Sequence, residues 1–121
     1  MISQFLIALA IATTPVANAD TATNAPKISL EDRSLLRCAA AFALITRAQE
    51  AGDEAALKWP PLDEQGREFF VRALAQVMDQ TGLDRSGIAR ITEAEAMEIH
   101  QSGDLDKIMP ACLVMLQSSG L

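Results

Sequence analysis

The sequence has no tyrosine, a single tryptophan and only four phenylalanines. Phe5, Phe42, Trp59, Phe69 and Phe70 are therefore all the aromatics there are, too few and too scattered for a base-stacking platform. Basic residues are also scarce. Ten Lys+Arg stand against 16 Asp+Glu, a formal net charge of −6 over 121 residues. Binding to nucleic-acid phosphates needs cations in excess and in runs, and no such run exists, so no nucleic-acid partner is expected. The same charge works against an anionic membrane surface.

Motifs that would announce chemistry are missing as well. There is no C-x-x-C-H, H-E-x-x-H, EF-hand loop, phosphate-cradling glycine pattern or G-x-S-x-G. The one histidine, His100, cannot by itself furnish a His-based metal site. Met97 lies three residues before it, and thioether with imidazole would suit copper only with ligands from elsewhere. His100 reads as a surface or edge histidine, and no metal or cofactor is expected. The paired acids Glu31/Asp32, Asp53/Glu54 and Asp63/Glu64 fall at expected helix starts, where the helix dipole accounts for them without acid–base chemistry. Met78, Met97, Met109 and Met115 stand at helical spacing and read as core or rim filler. Nothing poises a serine as nucleophile, so the chain is not expected to be an enzyme.

No apolar run is long enough to cross a membrane. Phe5 to Ala12 is an unbroken apolar run of eight residues against the ~20 a spanning helix needs. It is followed by Thr13-Thr14-Pro15 and then Ala17-Asn18-Ala19, small residues at both positions that matter for a cleavage site. Residues 1–19 are therefore expected to be a secretory signal peptide, although no Lys or Arg precedes the apolar run. Every charged residue lies at or beyond Asp20. Periplasmic or secreted protein is the expectation, with no membrane span once the signal is removed.

Residues 20–28 are small, polar and interrupted by Pro26, a flexible lead-in without periodicity. Residues 29–121 are expected to form a single all-α domain, a bundle of about four helices. Ser29-Leu30-Glu31-Asp32 resembles a capping box. The stretch from Cys38 to Ile45 is apolar on every side, which places the first helix at the centre, enclosed by neighbours; Gly52 stops it. A short helical turn is possible over 53–57, but Pro60 forces Trp59 out of the helical region. Trp59 reads as a lid over the bundle end, with a ligand-contacting aromatic as its alternative.

Leu62, Gly66, Phe69, Phe70, Ala73, Leu74, Val77 and Met78 build one apolar stripe on the second helix, with Asp63 and Glu64 in its first turn and Gly82 as its stop. Asp84 opens the third, where Ile88, Ile91, Ala94 or Glu95, and Ile99 follow a helical stripe. Thr92-x-x-Glu95 could be a second cap, so 85–101 is one helix or two short ones; no Gly or Pro breaks it, which favours one. Asp104 should cap the last helix, 105–119. Its inner stripe is Leu105, Ile108, Cys112 and Met115/Leu116, with Met109 and Leu113 beside it. Pro110 should bend or divide that helix.

Cys38 and Cys112, the only cysteines, fall in the first and last of these helices. In an oxidising compartment they have one possible pairing, and the expectation is a disulfide stapling the two helices. Two separate buried thiols are the alternative. A redox pair would need a C-x-x-C at a helix N-terminus, which neither cysteine has.

The signal ending Ala17-Asn18-Ala19, the helix Asp32-Arg33-Ser34-Leu35-Leu36-Arg37-Cys38-Ala39-Ala40 and the closing Met109-Pro110-Ala111-Cys112-Leu113 together resemble small exported two-cysteine helical proteins of Gram-negative bacteria, an uncharacterised group without assigned activity. The resemblance implies export and a helical fold, and transfers no functional residue. A looser likeness is to periplasmic acid-stress chaperones in size, export and two cysteines, without their lysine-rich flanks. The expected function is that of a non-enzymatic binding or interaction protein with a protein partner in the cell envelope. An acid- or envelope-stress chaperone is the alternative, and a small enzyme with a cleft near Trp59 or His100 comes last.

Overall fold

Ser29 begins the first helix by supplying the acceptor that a helix start lacks. In the computed structural model, which describes residues 27–121, Ser29 Oγ accepts from the Asp32 amide at 3.0 Å, and helix α1 runs Leu30–Glu50. The expected signal peptide, 1–19, lies outside the described residues, as does all of the lead-in except Lys27 and Ile28. After Gly52, Asp53 accepts from the Ala55 amide at 3.0 Å and caps the single turn α2, Glu54–Leu57. Three longer helices follow: α3, Gln65–Thr81; α4, Arg85–Ser102; and α5, Leu105–Ser118. No strand occurs among the described residues.

The all-α bundle is built as its apolar stripes require. Helix α1 touches all four other helices, most extensively α3 and then α4. Leu36, Ala39, Ala40, Ala41, Phe42 and Ile45 are buried along its length, and its run of small side chains allows close approach on more than one side. Phe42 meets Phe69 of α3 edge to face, with ring centroids 5.2 Å apart, a favoured aromatic geometry. Gly66 lets the two backbones come this near. A Cβ there would stand 3.0 Å from Leu62 Cβ and 3.5 Å from Phe42 Cβ. The main core gathers Phe42, Ile45, Leu62, Phe69, Ile99, Met109 and Leu116. A second, smaller cluster of Leu36, Val77 and Ile88 joins α1, α3 and α4 at the other end.

Cys38 and Cys112 form a disulfide that links α1 to α5 across 74 residues of sequence, with Cα atoms 5.2 Å apart. The central first helix and the staple to the last are thus both present. The region after Asp84 is one helix, because the Thr92 hydroxyl donates to Ile88 O at 2.8 Å. It is satisfied within its own helix and caps nothing. Gly82 and Gly103 end α3 and α4 in the left-handed conformation, which costs glycine little.

Several expectations need correction. Ala43 is exposed, so α1 is not enclosed on every side. Asp63 and Glu64 precede α3 rather than forming its first turn, and Glu64 makes no side-chain cap. Asp104 stands at the cap position of α5 without a capping side-chain bond; its carboxylate faces Lys107 at 3.6 Å instead. Met109 is at the centre of α5's inner face, fully buried. Helix α5 continues through Pro110. The proline is exposed, as is Asp106, whose carbonyl is the one left without an N–H donor, so water can satisfy it.

Candidate functional site

The cysteines come first, since their chemistry depends on whether they are free. Both are bonded and no free thiol remains among the described residues. Cys38 and Cys112 are also buried, away from any attacking thiolate. They act as covalent structure.

Trp59 sits where Pro60 puts it, at the end of the bundle beyond α2. Gln49 of α1 holds the segment in place. Its Nε2 donates to the carbonyls of Ala56 at 3.1 Å, Trp59 at 3.3 Å and Pro60 at 3.0 Å, and its Oε1 accepts from the Leu62 amide at 3.3 Å. Thr46 Oγ1 adds a bond to Leu62 O at 3.4 Å. The indole is half-buried against the main core. Lys58 lies over its ring at 5.2 Å and reaches Asp106 of α5 at 2.7 Å. That hydrogen bond, with the charge of Lys58, holds the Asp106 carboxyl below its ordinary 3.8 against the opposing effect of desolvation. The buried indole Nε1 has no hydrogen-bond partner. Trp59 also borders a cavity of about 310 Å³ with Thr46, Gln49, Glu50 and Asp63. This is the arrangement of a lid pinned at its backbone.

His100 is exposed on α4, and Met97 beside it is 61% exposed. The two weak candidates, Trp59 and His100, line no common cavity. Among the described residues no three or more His, Cys, Asp or Glu side chains gather as a metal site would require.

Two buried carboxylates were legible only in part. Glu95 of α4 is buried, and its oxygens face Arg33 at 3.4 Å and Arg37 at 3.5 Å, both from α1. Its place on the stripe of Ile88 and Ile99 was the signal. Asp32 is buried too. With its amide nitrogen turned inward, Gln80 of α3 donates to both Asp32 oxygens. Asp32 stands four residues before Leu36, on the same face, but its capping role concealed the burial. These acids lock α1 to α4 and to α3.

Several depressions of the surface are lined in part by α3. One depression of about 390 Å³ lies between α1 and α3, lined by Ala43, Thr46, Arg47, Gly66, Arg67 and Phe70, with Glu50 at its edge. A second, of about 420 Å³, lies between α3 and α4, lined mainly by Phe70, Val71, Leu74, Met78 and Ile88, with Asp79 and Arg85. Phe70 lines both. Val71 is 61% exposed. No protein-family model, curated protein or solved structure matches the chain.

Proposed function

We propose that the chain is an exported, non-enzymatic interaction protein of the bacterial cell envelope, its mature form beginning at Asp20. The observation that carries this reading is the buried Cys38–Cys112 bond between the central helix and the last. A bond of this kind is stable in an oxidising compartment, which agrees with the signal pattern of residues 1–19. The polar groups placed inside the bundle serve the scaffold: both cysteines are bonded, Gln49 pins the Trp59 segment, and Glu95 joins α4 to α1. The depressions beside α3 are lined largely by apolar side chains with arginines at their edges, a surface suited to contact with a partner.

The test is recovery of the protein from fractionated cells, with N-terminal sequencing and thiol titration under denaturing conditions. Periplasmic or secreted protein starting at Asp20, without titratable thiols, is the expected result. Reduced protein in the cytoplasm, retaining Met1, would overturn the reading.

A second reading, an acid-stress chaperone, is favoured by the charge balance: 16 Asp+Glu hold ten Lys+Arg and one His in check. In strong acid the carboxylates as a class lose their charge, and the remaining cations repel one another across the bundle. Acid would then loosen the packing and expose apolar surface. Hydrophobic-dye fluorescence should rise sharply at about pH 2–3 and a client should stay soluble. A flat dye signal excludes this reading.

A further inference from the structure

Helix α3 carries more apolar surface than the bundle covers. Its inner stripe, Gly66, Phe69, Ala73 and Val77, is buried. A second stripe, Phe70, Val71, Leu74, Ala75 and Met78, faces the α3–α4 depression. From Phe70 to Met78 this ridge spans about two helical turns, ~12 Å at the standard rise.

The charge around it has a small positive excess, against the net −6 of the chain. Arg33, Arg37, Lys58, Arg72 and Lys107 all have carboxylate partners. Lys27, Arg47, Arg67, Arg85 and Arg90 make no ion pair among the described residues, and three of them, Arg47, Arg67 and Arg85, border the two depressions that share Phe70. Glu50 and Asp79 stand there too, but within ion-pair distance of none of the three. An acidic chain has thus left free guanidinium groups beside its exposed apolar ridge.

We propose that this α1–α3–α4 groove is the docking surface for an amphipathic α-helix of a partner protein, with Leu- or Phe-type side chains on one face and Glu or Asp on its flanks. The proposal rests on the interaction-protein reading and names the partner's chemistry. The apolar face enters beside Phe70, Val71 and Leu74; the flanking acids meet Arg47, Arg67 and Arg85. A helix is specified because the described bundle offers no strand edge to pair with an extended peptide, so the partner must satisfy its own backbone. Other occupants match less well. The apolar run Phe5–Ala12 contains no acid, and a second copy would bring another arginine-rimmed groove to the same place.

The test uses the full, oxidised protein and a labelled synthetic helix of about 16 residues, long enough to cover the ridge, carrying a Leu stripe flanked by Glu. Controls are a Lys-flanked twin and a scrambled Glu peptide. Fluorescence anisotropy should show the Glu helix binding at least about tenfold tighter than either, weakening as salt rises. Val71→Asp, and separately Arg67→Glu with Arg85→Glu, should each weaken it about tenfold or more. Circular-dichroism melts should match the parent, and the double reversal should now prefer the Lys helix. Equal binding of both helices, or binding indifferent to Val71→Asp, overturns the proposal. So does a protein that is itself a dimer broken by Val71→Asp, or a groove that binds laurate and no helix. The failure of each reading is separable: exported, oxidised protein that ignores the Glu helix loses only the docking site, whereas cytoplasmic, reduced protein removes the envelope reading whatever the peptide does.

Discussion

Glu95 and Glu68 show how burial decides the worth of an ion pair. Glu68 pairs with Arg72 at 3.0 Å one turn along α3, and both side chains are more than half exposed. Such pairs contribute little, because water and salt screen them and two long side chains must be ordered. Glu68→Ala should cost under about 0.5 kcal/mol. Glu95 is buried between two arginines that reach it from another helix. Glu95→Ala removes that bridge and opens space at the α1–α4 contact. It should cost about 1–2 kcal/mol, limited because Arg33 and Arg37 can turn back to water. Urea denaturation of both variants checks the contrast; equal losses would show that Glu95 is no more than a surface charge. Gln49 presents the same logic without charge. Gln49→Ala leaves three carbonyls and the Leu62 amide without their shared partner, at a cost of about 2 kcal/mol. The added signature should be protease cutting within residues 56–62.

At the scale of elements, the tie between the Trp59 segment and α5 is electrostatic and has a defined pH window. Lys58 lowers the Asp106 pKa from its ordinary 3.8, so the native state holds this carboxylate charged more readily than the unfolded chain does. Its contribution is therefore present above 3.8 and is lost as pH falls through the lowered value. Both side chains are about half exposed and water screens the pair, so Asp106→Asn should melt only slightly earlier than the parent at neutral pH, and the gap should close in acid; a gap that persists there would mean the loss is one of packing. The helices themselves were largely legible in the sequence, since each buries the face its spacing marks: Phe69, Ala73 and Val77 on α3, Ile88 and Ile99 on α4. Ser29, Asp53 and Asp84 cap as their side chains allow. What could not be read depended on partners distant in sequence. Ala43 is apolar within an apolar run, yet no neighbour covers it. Asp104 occupies a cap position, but its carboxylate is drawn to Lys107. Gln49 carries no periodic signal at all, because its partners are Ala56 of α2 and three residues of the segment shaped by Pro60 and Pro61. The open groove was illegible for the same reason: Phe70 and Leu74 belong to the periodic stripe, and only the placement of α4 decides how much of them stays exposed.

For the whole molecule, the disulfide determines how the bundle comes apart. Closing a loop across 74 residues restricts the unfolded chain, which by chain-entropy reasoning contributes about 4.5 kcal/mol and often less. A domain of this size is commonly stable by only about 5–15 kcal/mol, so Cys38→Ala with Cys112→Ala should remove a large share. The loss should also be uneven. Helix α5 reaches the bundle mainly through Met109, Cys112 and Leu116 against α1. Helix α4 is held independently, by Ile88 against Leu36 and Val77 and by Glu95 against Arg33 and Arg37. Without the bridge, amide exchange should accelerate first over residues 105–118, while residues 85–102 keep protection closer to that of the α1–α3 pair. Uniform loss of protection across all four long helices would mean instead that the bundle unfolds as one unit and that the bridge stabilises it globally rather than by seating α5. The distinction bears on function, because the groove between α1, α3 and α4 includes no residue of α5. If α5 releases locally, reduced protein should still bind the acidic helix; if the bundle yields as a whole, binding and the disulfide should be lost together.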